Sequence, residues 1–250
     1  MSKQQNLIGH INDLRKMLIH CILAVVIVFP IGFWLAPAAI NWLVTWSFPP
    51  ELGSLKYFAP LEVFIIQLKL GTIIAFIMVF PYIIWRVWEF LLPALYDSEK
   101  TILKLAVFLS SFLFLLGVAF CIALILPLVM KFSAGFATPN LQPMLGLASF
   151  LSLCGMLIIA FGVMFEVPLV VLIAVKFGVV STATLKDKRP YVIVIILILA
   201  AILTPPDVVS QLMLGIPTYL LFEVGLFCAE YIEHKPYSTE ASNTKTESLK

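Results

Sequence analysis

Apolar residues in this chain gather in six runs, at about 17–43, 68–91, 105–130, 149–176, 191–203 and 210–229, with polar residues collected between them. Each run reads as a membrane-spanning helix. The fifth is unusual. It follows Lys186-Asp187-Lys188-Arg189-Pro190 and stops at Thr204-Pro205-Pro206-Asp207, leaving only Tyr191 to Leu203. At about 1.5 Å per residue that run reaches about 20 Å, against a hydrocarbon core of about 30 Å. The sixth starts soon after and is interrupted by Gly215 and Pro217. Two short spans side by side, one of them kinked, predict a locally thinned bilayer. Such thinning suits the passage of something large or polar.

The linkers between the runs set the orientation. Six crossings put both termini on one side, joined there by linkers 92–104 and 177–190. That side, counted with its span ends, holds thirteen of the sixteen Lys and Arg residues. The other holds Lys56, Lys69 and Lys131. Both termini are therefore expected in the cytoplasm. The basic start and first run resemble a signal peptide, but the run far exceeds an apolar region of about 7–15 residues and lacks a small-residue cleavage pattern. It is expected to stay in the membrane. Residues 1–235 read as one six-helix transmembrane domain and 236–250 as a disordered cytoplasmic tail. The opposite linkers, about 44–67 and 131–148, are rich in Phe, Leu and Pro. They predict short interfacial helices capping the outer face. No internal repeat is visible, which weakens a repeat-built transporter.

Composition agrees: 62% of residues are apolar and 12% charged, with a mean hydropathy of +1.06. Soluble domains carry about 25% charge, so a soluble enzyme is excluded. The net charge of +2 says less than its distribution. Cys21, Cys121, Cys154 and Cys228 lie inside apolar runs without a CxxC pair and read as small hydrophobes. The three histidines do not cluster, so neither metal nor cofactor is expected. The chain has no phosphate-binding glycine loop, no HExxH and no GxSxG. Whatever work it does is not driven by a nucleotide it binds itself.

Polar groups inside the apolar runs carry more information. Glu166 lies ten residues before Lys176, about 15 Å of helix, which puts a carboxylate near mid-membrane. A charge there costs at least about 2.5–3.5 kcal/mol. It is protonated, wetted by a cavity, or hydrogen-bonded, either as a plain intra-bundle contact or for function. Pro168 withholds an amide from Met164's carbonyl and is expected to bend the helix beside the acid. Gln211 and Glu223 share the last span but not one face, since twelve steps of about 100° leave them about 120° apart. Asp207, after two prolines, is placed to N-cap that span. Asp13 and Glu99 precede the first and third spans, both of which enter from the cytoplasm. Singly, each complements a helix dipole at about 0.3–1 kcal/mol. Together they could present two carboxylates to two guanidinium groups.

Taken in order, these segments resemble the TatC family of twin-arginine translocases. The matching residues are His10 to Arg15, Pro60-x-Glu62-x-Phe64, Phe90-x-x-Pro93-x-Leu95-Tyr96-x-x-Glu99, and Phe161-Gly162-x-x-Phe165-Glu166-x-Pro168. They continue with Arg189-x-Tyr191, Thr204-Pro205-Pro206-Asp207-x-x-Ser210-Gln211, Pro217 and Glu223. The resemblance implies an all-α, glove-shaped six-helix bundle in the bacterial cytoplasmic membrane, with spans five and six short. It implies a receptor that binds twin-arginine signal peptides at its cytoplasmic face through Asp13, Arg15 and Glu99. Folded cargo is then exported on the proton-motive force with the single-span partners TatA and TatB, and the receptor complex self-associates. Glu166 and Glu223 would be the intramembrane polar residues. Gln211, with Thr204, Pro205, Pro206 and Asp207, would dock partners, while Pro60, Glu62 and Phe64 would build the outer cap. No nucleic acid is implied.

Two departures stand out. The first acid is Asp13 where the family has Glu, a reach shorter by about 1.5 Å, one carbon–carbon bond. Glu89 is an extra acid between aromatic residues, with no role assigned. Two other classes remain. A proton-coupled small-solute carrier would use Glu166 and Glu223 as proton sites, and a ligand-free scaffold would tolerate replacement of Glu166.

Overall fold

The computed structural model of the chain describes residues 2–48, 55–91, 100–135, 146–203 and 208–233. Among them all regular structure is helical, apart from one isolated bridge between Lys56 and Gly146. The helices are α1 (Ser2–Ser47), α2 (Glu62–Leu91), α3 (Lys100–Phe120), α4 (Leu126–Ala134) and α5 (Leu147–Met164). They continue with α6 (Val167–Lys176), α7 (Thr182–Asp187), α8 (Arg189–Leu203) and α9 (Val208–Glu233). Five stretches are long and apolar enough to cross a membrane: Ile11–Ser47, Glu62–Phe90, Leu103–Ala134, Leu147–Lys176 and Val208–Tyr231. Arg189–Leu203 is a shorter apolar helix. The all-α, polytopic class read from the sequence stands, and these six stretches fall on the six predicted runs.

Element bounds differ from the apolar runs in instructive ways. Helix α1 starts at Ser2, so Asp13 lies three turns inside it and not at its N-terminus. The dipole effect fades within the first turn, which removes that explanation for the acid. The 15 residues of α8 reach about 22 Å, short as expected. The apolar run at 210–229 sits inside a longer helix, because α9 has 26 residues, about 39 Å, and continues through Pro217 and on past Glu230. The argument for thinning therefore rests on α8 alone. The third span contains a π-helical segment at Cys121–Ile125, where the chain carries a wider turn than hydropathy can reveal.

Beside Pro168 the helix is broken. Helix α5 ends at Met164 and α6 begins at Val167, with Pro168 in its first turn, where a missing N–H leaves no bond unmade. Across the break the Glu166 amide donates to Val163's carbonyl at 3.1 Å, a three-residue reach. The first outer linker is described only outside residues 49–54. Its described residues form no interfacial helix: Lys56 pairs with Gly146 and a turn runs directly into α2. The second linker, between Gly135 and Gly146, lies outside the described residues.

The chain divides into two compact units, Met1–Gly162 and Val163–Lys250. In the first, α1 packs along α2. The backbones approach closely at Gly32 and Gly71, where a Cβ on Gly71 would fall 2.8 Å from Phe33's Cα. Helix α3 packs on the other side of α2 through stacked Phe80 and Phe114 rings, 3.6 Å between centroids, and through Trp88, whose Nε1 donates to Ser110 Oγ at 3.1 Å. In the second unit, α9 packs against α6 and α8 around Val171, Ile196, Phe222 and Leu226.

Candidate functional site

Where the C-terminal end of α2 meets the N-terminal part of α1, an open pocket of about 310 Å³ is lined by Asp13, Lys16, Met17, His20, Arg86, Glu89 and Phe90. The spacing explains the grouping. Positions 13, 16, 17 and 20 repeat at three and four and so share one face of α1; positions 86, 89 and 90 do the same on α2. Arg15 lies about 200° round the helix from Asp13 and does not line the pocket.

The pocket brings together two carboxylates, two cations and an imidazole. Arg86 Nη1 donates to Glu89 Oε2 at 2.8 Å, and its guanidinium lies 5.9 Å from the Tyr82 ring centre. The buried Nε of Arg86 has no hydrogen-bond partner among the described residues. His20 Nδ1 donates to the Lys16 carbonyl at 2.6 Å. Asp13 is exposed on the α1 wall. Its proposed companion Glu99 lies outside the described residues. Sequence reasoning missed Arg86 and Glu89 as a site, although their three-residue spacing was a usable signal.

Glu223 has a different setting. Its Oε2 accepts from Arg189 Nη2 at 2.7 Å and its Oε1 from the Tyr219 hydroxyl at 2.7 Å. Both oxygens are engaged, and the carboxylate ties the start of α8 to α9. Lys186 and Glu230 form a second ion pair between α7 and α9. Glu166 is buried, 8% exposed, at the N-terminal boundary of α6, and its side chain does not cap that helix. Gln211 Nε2 donates to the Leu197 carbonyl at 3.0 Å, joining α9 to α8. Thr204, Pro205, Pro206 and Asp207 lie outside the described residues.

At the opposite end of α2, Glu62 links the outer loop to α5. Its Oε2 accepts from the Phe58 amide at 2.7 Å and the Ala59 amide at 3.2 Å, while Oε1 accepts from the Ala148 amide at 3.0 Å. Lys56's carbonyl accepts from the Leu147 amide at 2.8 Å. Two of the N–H groups left over in the first turn of α5 thus find acceptors in the first loop, one of them an anion suited to a helix N-terminus. Phe64 packs edge-on against Phe33, 6.2 Å between ring centres, and Pro60 lines an outer surface hollow with Tyr57, Phe58, Ala59 and Val63.

A family model described as Sec-independent protein translocase protein (TatC) matches residues 9–217, most of the chain. The chain belongs to the TatC family. The TatC protein of Escherichia coli K12 is 36% identical over 239 residues, covering 94% of this chain and 92% of that protein. TatC of Haemophilus influenzae Rd is 33% identical over 245 residues, covering 97% and 96%. A crystal structure of the twin arginine translocase receptor TatC superposes with a TM-score of 0.79 at 32% identity, covering 89% of this chain and 98% of that one. TatC membership and the apolar helices together make the chain an integral membrane protein of protein translocation.

Proposed function

We propose that this chain is the receptor subunit of a twin-arginine protein-export translocase, binding paired-arginine signal peptides at its cytoplasmic face. Support comes from TatC membership over nearly the whole chain, together with one observation: a carboxylate-bearing pocket formed by Asp13 and its neighbours where α1 meets α2. A guanidinium can donate two parallel hydrogen bonds to one carboxylate, which an ammonium cannot match. Asp13 and Glu99 receive the arginine pair in this reading, and Arg15 lies close by on α1. The apolar part of the signal peptide then passes Glu166. Gln211 and the Thr204–Asp207 corner form the docking edge for the single-span TatA- and TatB-type partners. Pro60, Glu62 and Phe64 hold the outer cap. The receptor associates with copies of itself, works in the bacterial cytoplasmic membrane with both termini inside, and draws on the proton-motive force and not on catalysis.

The test is binding of a labelled twin-arginine signal peptide to the detergent-solubilised protein, against a twin-lysine peptide. Asp13→Ala and Glu99→Ala are each expected to weaken arginine binding at least about tenfold, the loss of one charged hydrogen-bonded contact. Binding indifferent to both the arginines and the substitutions would remove the receptor reading. The alternative, a proton-coupled solute carrier, would have to use a Glu223 whose two oxygens are already engaged by Arg189 and Tyr219.

A further inference from the structure

We infer that Arg86 acts as an internal occupant of the signal-peptide pocket, holding Glu89 until a ligand guanidinium displaces it. Glu89 then becomes a third carboxylate for the arginine pair, beside Asp13. This rests on the receptor reading and deepens it.

The lining charges carry the argument. A pocket meant for two guanidinium groups should be acidic, yet the lining supplies Asp13 and Glu89 against Lys16 and Arg86, with His20 between them. Within this described lining the two cations offset the two acids, so the attraction that Asp13 and Glu89 exert on an arginine pair grows when one of the resident cations moves. Arg86 is the one placed to move. It already offers Glu89 the contact a ligand arginine would offer, one Nη1 bond of 2.8 Å. Its Nε is buried without a hydrogen-bond partner among the described residues, and its other neighbour is Tyr82, whose ring centre lies 5.9 Å away and whose hydroxyl adds a side-chain hydrogen bond. The pair is partly exposed, at 29% and 27% of side-chain area, and exposed pairs three residues apart are weak. Exchanging one arginine for another at Glu89 conserves charge and hydrogen bonds at that carboxylate. Displaced from it, Arg86 has a long flexible side chain at the end of α2 that can turn to water or lipid phosphate.

The arrangement also bears on specificity. A lysine competing for Glu89 replaces a planar fork with a single point charge and gains one bond where arginine gains two. Moving the resident guanidinium costs the same for either ligand, so the discrimination between them comes from this difference at Glu89.

The experiment measures twin-arginine and twin-lysine peptide affinities for the solubilised protein and for Arg86→Gln, Arg86→Lys, Glu89→Gln and the Arg86→Gln/Glu89→Gln double variant. Thermal unfolding midpoints confirm that each variant is folded. Arg86→Gln is expected to bind the arginine peptide about two- to fivefold tighter, about 0.4–1 kcal/mol, the scale of an exposed ion pair. The discrimination against lysine should be little changed, because both peptides are spared the same displacement. Arg86→Lys should fall between wild type and Arg86→Gln. Glu89→Gln should bind about tenfold weaker. The double variant should lose the gain seen in Arg86→Gln, because the gain acts through Glu89. Unchanged or weaker binding by folded Arg86→Gln, or a gain that survives in the double variant, overturns the inference. If wild type itself fails to distinguish arginine from lysine, the receptor reading falls instead, so the two failures separate.

Discussion

Glycine positions show how single atoms govern the packing of these helices. At Gly225 on α9 a Cβ would fall 2.6 Å from the Cα of Pro168 on α6, backbone against backbone. Neither side can yield, so Gly225→Ala should destabilise the second unit by about 1–3 kcal/mol through overpacking. At Gly215, ten residues earlier, a Cβ would sit 3.3 Å from Leu197 Cδ2, the free end of a flexible side chain. There Gly215→Ala should be neutral or stabilising by up to about 1 kcal/mol, since alanine suits a helix interior better. Unfolding midpoints in detergent check both, and equal effects would mean that the α6–α9 approach is not as close as described. Both glycines are plain in the sequence, but which of them touches a neighbour is not. Glu223 teaches the same lesson: from sequence it looked like an isolated intramembrane acid, and it proved to share two bonds with Arg189 and Tyr219. The Tyr219 partner, four residues away, was within reach of helix spacing. The Arg189 partner, across a helix–helix junction, was not.

At the level of elements, the third span is the one hydropathy describes least well. Its apolar run looks uniform, yet residues 121–125 form a π-helical turn between α3 and α4. The partner that uses this turn comes from α1, where Trp46 Nε1 donates to the Ile122 carbonyl at 3.2 Å. Trp46→Phe preserves most of the ring and removes that donor, and should cost about 0.5–1.5 kcal/mol. Trp34→Phe, at a residue 79% exposed, serves as the control and should move the unfolding midpoint little. An effect of Trp46→Phe no larger than the control would show that the bond is incidental to the π turn. The α8–α9 pair contrasts with this: its boundaries were readable because Pro190 and the Thr204-Pro205-Pro206-Asp207 corner punctuate the chain. What was not readable was that α9 carries on past its apolar run to Glu233, with Glu230 paired to Lys186.

At the scale of the whole molecule, charge distribution controls orientation. Thirteen basic residues against three is a strong asymmetry, and the positive-inside rule counts basic residues and not net charge. A reporter fused after Lys250 should therefore behave as cytoplasmic: a fluorescent protein should glow and alkaline phosphatase should stay inactive. An active phosphatase there would reverse the orientation and move the Asp13 pocket to the wrong side for a receptor of cytoplasmic precursors. Both of the pocket's walls, the early turns of α1 and the last turns of α2, lie within Met1–Gly162, so this part of the site belongs to the first unit.

The sequence by itself determined membrane residence, the positions of the spans, the break at Pro168 and membership of the TatC family. All four follow from local sums or local steric rules: apolar residues per window, a missing amide, an ordered set of short motifs. Only the tertiary structure decided which polar groups meet. Glu62 reaches Ala148 across 86 positions, Arg189 reaches Glu223 across 34, and Asp13 shares a pocket with Arg86 and Glu89. Those meetings depend on how far each helix is rotated and slid against its neighbour. Rotation and register are set by close contacts such as Gly32 on Gly71, which leave no trace in a hydropathy profile.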